Sequence, residues 1–169
     1  MPSPRRAYAR KERAGFAPPG HDHAHCVGDA LAAAERQCAA KGVRLTAQRR
    51  SVLELIWNSH EPVGAYTLLD RLREKGVRAQ PPTVYRALEF LVENGLIHRI
   101  ESLNAYVGCA APTERHVGQF LICTGCHSAA ELDDAAIGAA IAARAKEIGF
   151  AVSRATVEIA GLCPNCRAG

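Results

Sequence analysis

Aromatic side chains are scarce in this chain, with four Phe, four Tyr and one Trp among 169 residues, and there is a single Met. A core must therefore be filled by Leu, Ile, Val and Ala. No apolar run approaches the roughly 20 residues needed to cross a bilayer, so no membrane partner is expected. The N-terminal stretch carries Arg5, Arg6, Arg10, Lys11 and Arg13 without an apolar segment behind them, which argues against a secretory signal. The chain is expected in the cytoplasm, where seven cysteines point to metal or redox chemistry rather than a disulfide framework. A large excess of one charge is also missing. The net charge of +4 and pI near 8.8 permit nucleic-acid binding without establishing it. The length allows one domain or two small ones, and a small half would bury so little surface that metal or dimerisation would help it.

What is present is a pair of Cys-x-x-Cys knuckles, Cys123-Thr124-Gly125-Cys126 and Cys163-Pro164-Asn165-Cys166, separated by 36 residues. Four thiolates in two knuckles suit a closed tetrahedral zinc site. The alternative is a pair of disulfides, which a cytoplasmic setting disfavours. A further tract, His21-Asp22-His23-Ala24-His25-Cys26, has metal-ligand residue types but reads better as part of a solvated tail over residues 1–25, because a disordered site loses ordering entropy on binding.

Four helices follow. Val27, Leu31, Ala34 and Cys38 share one helical face that Gly42 ends, and Cys38 there reads as a small buried residue. Thr46 is placed to cap a second helix carrying Val52, Leu53, Leu55, Ile56 and Trp57. Ala65 to Lys75 forms a third, with Leu68, Leu69 and Leu72 inward. Pro81 and Pro82 open a fourth over 82–94, with Val84, Ala87, Leu88 and Leu91 as its buried stripe. Leu96 to Glu101 and Ala105 to Cys109 around Ser102-Leu103-Asn104 make a hairpin. Helices followed by a hairpin describe a winged helix-turn-helix whose fourth helix enters the major groove. After a linker the pattern changes to strands at 118–122 and 129–132, an Ala-rich helix capped by Asp133 or Asp134, and a half-buried strand with Ala155, Val157 and Ile159 on one side. The fold class is α+β, with a DNA-binding domain over 26–109, a hinge at 110–116 and a second domain over 117–169.

The fourth helix displays Thr83, Tyr85 and Arg86 off its apolar stripe, near the N-terminal end that favours phosphate. Arg86 suits guanine, and Tyr85 or Thr83 suits phosphate or a thymine methyl. The run Pro81-Pro82-Thr83-Val84-Tyr85-Arg86-Ala87-Leu88 resembles the recognition helix of the ferric uptake regulator family. So does Arg44-Leu45-Thr46-Ala47-Gln48-Arg49, and the knuckles fall where that family places them. The resemblance spans residues 27–167 and is strongest to the zinc uptake regulator subgroup. It implies a homodimeric, zinc-dependent repressor of zinc uptake genes that binds double-stranded operator DNA and joins its protomers through the C-terminal domain. It implies no enzyme activity and no small-molecule substrate. Tyr66 and Arg86 become base-contacting candidates, and Arg44 and Arg49 phosphate candidates.

The same resemblance implies a second, regulatory zinc site at His98, Cys109, His116 and Glu131, which gives two Zn2+ per chain. Two imidazoles, a thiolate and a carboxylate make a tetrahedral zinc set, and the thiolate biases it away from ferrous iron. The segment 109–116 holds one His, leaving few ligands for another site, and His127 beside a closed tetrahedron reads as a surface residue. Asp70 and Arg73 could pair between neighbouring dimers, though a local pair on one helix is the simpler reading. The alternatives are an iron or peroxide sensor of the same family, a thiol oxidoreductase, and a zinc-stabilised interaction module.

Overall fold

The computed structural model describes residues 16, 23–59, 61–110, 112, 117–132 and 134–168. The residues from 23 to 112 form one compact unit and those from 117 to 168 another.

The first unit opens with α1 (His23–Ala40), α2 (Ala47–Trp57), β1 (Val63–Gly64), α3 (Ala65–Glu74) and α4 (Pro81–Glu93). Leu31, Ala34 and Cys38 of α1 are buried, as their spacing predicts. The Thr46 side chain caps α2 by accepting a hydrogen bond from the Arg49 backbone N–H at 3.4 Å. Pro81 and Pro82 occupy the first turn of α4, where their missing N–H groups cost nothing. The helix therefore begins one residue earlier than expected and ends at Glu93. Gly95, at φ +69°, turns the chain from α4 into β2 (Ile97–Ile100), a conformation that costs a residue with a side chain more. Leu53, Ile56, Leu68, Leu72, Leu88, Leu91 and Ile97 fill the core.

β2 and β3 (Ala105–Gly108) form the expected hairpin, with Ile97 opposite Gly108 and His98 opposite Val107. Asn104, at φ 46°, makes the turn and accepts a hydrogen bond from the Arg99 guanidinium at 3.0 Å. β1 adds a third strand against β3, pairing Val63 with Tyr106. Two residues are too few to show a period, so the sequence carried no strand signal there.

The second unit holds β4 (Gly118–Cys123), β5 (Ala129–Glu131), α5 (Ala135–Glu147), β6 (Thr156–Gly161) and α6 (Pro164–Ala168). The sheet order is β5-β4-β6, with β5 antiparallel and β6 parallel to the central strand. Asp134 caps α5 by accepting from the Ala136 N–H at 2.8 Å. Phe120 and Ile122 are buried, but β6 departs from the expected alternation: Val157 and Glu158 are half-buried and Ile159 is 44% exposed. β6 is an edge strand, and among the described residues no layer covers its apolar positions. α5 has no buried residue. Ile148, Phe150, Val152 and Leu162 are exposed as well, at 70%, 63%, 42% and 52%.

Candidate metal centres and nucleic-acid interface

Parallel pairing of β4 with β6 is what brings the two knuckles together. Cys123 ends β4 and lies opposite Gly161, two residues before Cys163. Both strands therefore deliver their knuckles to one end of the sheet, although 36 residues and a helix separate them in sequence. Thr124 fastens the junction, its N–H and its hydroxyl both donating to the Gly161 carbonyl at 2.8 and 3.1 Å.

The ligand atoms of Cys123, Cys126, Cys163 and Cys166 lie within 4.8 Å of one another. Cys126 Sγ is 3.8 Å from Cys163 Sγ. Thiolates about 2.3 Å from a common zinc in a tetrahedron stand about 3.8 Å apart, whereas disulfide sulfurs are about 2.05 Å apart. All four thiols are free. Donors surround them: the Cys163 N–H points to Cys123 Sγ at 3.3 Å, the Cys166 N–H to Cys163 Sγ at 3.4 Å, and Ser128 Oγ is 3.0 Å from Cys126 Sγ. The N–H groups of Cys163 and Cys126 bring the Cys123 thiol down to about 6, and the Ser128 hydroxyl lowers Cys126. Cys166 is driven the other way, to about 12, by sharing hydrogen bonds with Cys163, Cys123 and Cys126. A quartet that stabilises the first thiolates and opposes the last needs a cation to ionise fully, which is the chemistry of a structural zinc. Gly125 lets the knuckle close, since a Cβ there would stand 3.1 Å from Cys166 Sγ. The second knuckle opens a short helix, α6, because Pro164 starts a single turn that carries Cys166.

The regulatory candidates are distributed between the units. In the first, His98 is half-buried on β2 and Cys109 is 2% exposed just beyond β3. The Cys109 N–H donates to the Leu96 carbonyl at 3.1 Å, extending the hairpin ladder, and its sulfur lies within 4.8 Å of a His98 ring nitrogen. In the second unit Glu131 ends β5, half-buried, opposite Phe120. His116, Asp133 and the tract 21–22 lie outside the described residues, as do the side chains of His23, His25 and Cys26. Cys38 is a buried core thiol whose pKa burial pushes up. His127 is exposed in a turn, at φ 60°.

On the nucleic-acid side, Arg86 and Tyr85 are exposed on α4, and Thr83 is half-buried with its N–H bonded to the Gln80 carbonyl at 3.0 Å. Tyr66 stands 69% exposed in the first turn of α3. Arg44 is exposed. Arg49 is held in the fold: its guanidinium lies 3.6 Å over the Phe90 ring and donates to the Arg44 carbonyl at 2.6 Å. Asp70 and Arg73 form the local pair on α3 at 3.7 Å. No helix among the described residues is long and apolar enough to cross a membrane.

Residues 40–160 match the model of the ferric uptake regulator family. The chain is 42% identical over 139 residues to the zinc uptake regulation protein of Escherichia coli K12, covering 80% of each. Among solved structures it is similar to a zinc uptake regulator complexed with zinc and DNA, with a TM-score of 0.80 at 40% identity over 84% of this chain and 95% of that one. It is also similar to the holo form of the regulator XcZur, with a TM-score of 0.77 at 48% identity over 82% and 97%. A winged helix whose α4 begins Pro-Pro-Thr-Val-Tyr-Arg, joined to a unit closed by four cysteines, thus agrees with sequence and fold comparison alike: the chain belongs to the ferric uptake regulator family.

Proposed function

We propose that the protein is a zinc-responsive transcriptional repressor which binds operator DNA as a zinc-loaded homodimer and controls zinc uptake genes. The observation that carries the zinc signal is the buried Cys109 thiol within 4.8 Å of the His98 imidazole, at the exit of the DNA-binding unit. A thiolate in the set favours zinc over ferrous iron. The similarity to zinc uptake regulators at 40–48% identity supports the same reading.

In this reading Cys123, Cys126, Cys163 and Cys166 hold a structural zinc, and His98, Cys109, His116 and Glu131 hold a regulatory one. Bound at the second set, zinc supplies a coordination centre with ligands from both units. His98 and Cys109 sit on the wing hairpin, Glu131 on the sheet of the second unit, and His116 in the segment between. Their simultaneous ligation selects one hinge geometry from many. Two recognition helices must lie one DNA turn apart, about 34 Å, to read a palindrome. Shifting that equilibrium from mostly incompetent to mostly competent takes about 5.5 kcal/mol of differential binding. Structural zinc sites contribute about 10–16 kcal/mol in total, so forfeiting about a third to a half of that when one unit's ligands are withdrawn would supply the difference. By linkage, operator DNA tightens zinc binding by the factor by which zinc tightens DNA binding. The exposed Ile148, Phe150, Val152, Ile159 and Leu162 form the apolar surface that pairing of protomers would cover.

The lowered Cys123 pKa would also suit a redox dithiol, but that thiol is fully buried, with three further sulfurs beside it. Operator binding titrated against buffered free zinc tests the function, together with metal content. Two zincs per chain, one of them labile to mild chelation, with DNA binding that follows the labile one, is the expected result. No metal and a cycling disulfide would establish the redox enzyme instead.

A further inference from the structure

Gly108 is a glycine for a reason that its backbone does not explain, since its φ is not in the left-handed region. A Cβ at this position would stand 2.3 Å from Cε2, 2.6 Å from Nε1 and 2.7 Å from Cζ2 of Trp57. The indole therefore lies against the bare Cα, and the missing side chain makes room for the ring. Trp57 ends α2, whose Val52, Leu53 and Ile56 are buried in the core, so the ring is fixed from the helical side of the unit. Gly108 pairs with Ile97 across the hairpin. The next residue on each strand is a candidate regulatory ligand, Cys109 after Gly108 and His98 after Ile97. The Cys109 N–H is anchored to Leu96, the residue before Ile97.

We propose that Trp57 is a positioning residue for the His98–Cys109 metal-ligand pair, acting through its contact with Gly108. The indole sets the height of the strand ends that carry the imidazole and the thiolate, and ties those ends to α2, the helix that packs against both helices of the helix-turn-helix. The proposal rests on the reading of that pair as half of the regulatory site. It adds that ligand spacing and the DNA-binding helices are coupled through one ring.

The experiment is a cobalt titration of the full-length protein, followed by the thiolate-to-metal absorption band and by the emission of Trp57, the only tryptophan in the chain. The second equivalent should shift the emission. Groups that orient metal ligands typically change metal affinity about 10–100-fold when altered, so Gly108→Ala and Trp57→Leu should each weaken the second cobalt by about tenfold or more. The four-Cys metal should be retained. The double variant Gly108→Ala/Trp57→Leu, which exchanges ring volume for a methyl at the same contact, should recover most of the affinity. Parental affinity in Gly108→Ala, or a double variant no better than either single one, overturns the proposal. Affinity that merely tracks melting temperature across the three variants also overturns it, because a purely structural role predicts that. If Gly108→Ala does not fold, Trp57→Leu alone decides, and parental affinity in it is fatal. A parent that takes up one cobalt per chain overturns the regulatory-site reading and this proposal together. Two cobalts in the parent with an indifferent Gly108→Ala overturn this proposal alone.

Discussion

In the proposed reading, four cysteines close a metal site that the fold depends on and Cys109 offers a thiolate for signalling, and serine substitution separates the two roles. Cys163 is buried between β6 and α6 of a unit whose largest buried side chain is Phe120, so little apolar core remains if zinc is lost. Cys163→Ser should forfeit most of the roughly 10–16 kcal/mol a structural zinc contributes, and with it the cooperative melting and the dimer. Calorimetry and sedimentation read both, and a dimer with parental melting would refute the structural role. Cys109→Ser leaves that site intact and turns the regulatory set into three ligands. It should stay folded and dimeric, keep one tight zinc per chain, and fail to bind operator at free zinc levels that saturate the parent. Operator binding with the parental zinc dependence would remove Cys109 from the sensor. The knuckles were legible because Cys-x-x-Cys spacing states its chemistry within four residues. Trp57 beside Gly108 was not, since that pairing does not follow from spacing along the chain. A contact between positions 57 and 108 exists only once α2 and the wing are packed.

At the scale of elements, α4 was readable to within one residue at each end because two independent signals coincide there. Proline marks its start, and Val84, Ala87, Leu88 and Leu91 mark its face. The same periodicity leaves Tyr85 and Arg86 outward, next to an N-terminal dipole that favours phosphate. Arg86→Ala should therefore cost about 1–3 kcal/mol on the operator and relax discrimination at one base pair. Competition between operator and scrambled duplex measures it, and unchanged discrimination would exclude Arg86 from base reading. β1 and β6 were harder for opposite reasons. β1 is too short for a period. β6 has the period, but among the described residues no layer closes over its apolar side, so Ile159 is exposed and Val157 only half-buried.

Across the whole molecule the positive charge is unevenly placed. Arg5, Arg6, Arg10, Lys11 and Arg13 against Glu12 give the first 13 residues a charge of +4, which equals the formal net charge of the entire chain. The remaining residues sum to zero, with the DNA-binding unit over 23–112 at +2, so that unit attracts a polyanion less strongly than the first 13 residues do. That stretch lies outside the described residues, and its effect follows from charge alone. A dimer carries two such segments, each next to the DNA-binding unit in sequence. Every phosphate they neutralise adds about 0.9 to the slope of log affinity against log salt. Deleting residues 1–13 should therefore flatten that slope by several units, equally for operator and scrambled DNA, because backbone charge carries no sequence information. Zinc dependence should be untouched, since none of the eight proposed ligands is removed. Fluorescence anisotropy across a salt series reads all three quantities. A slope unchanged by the deletion would place the phosphate contacts wholly on the folded units, with the exposed Arg44 as their first candidate.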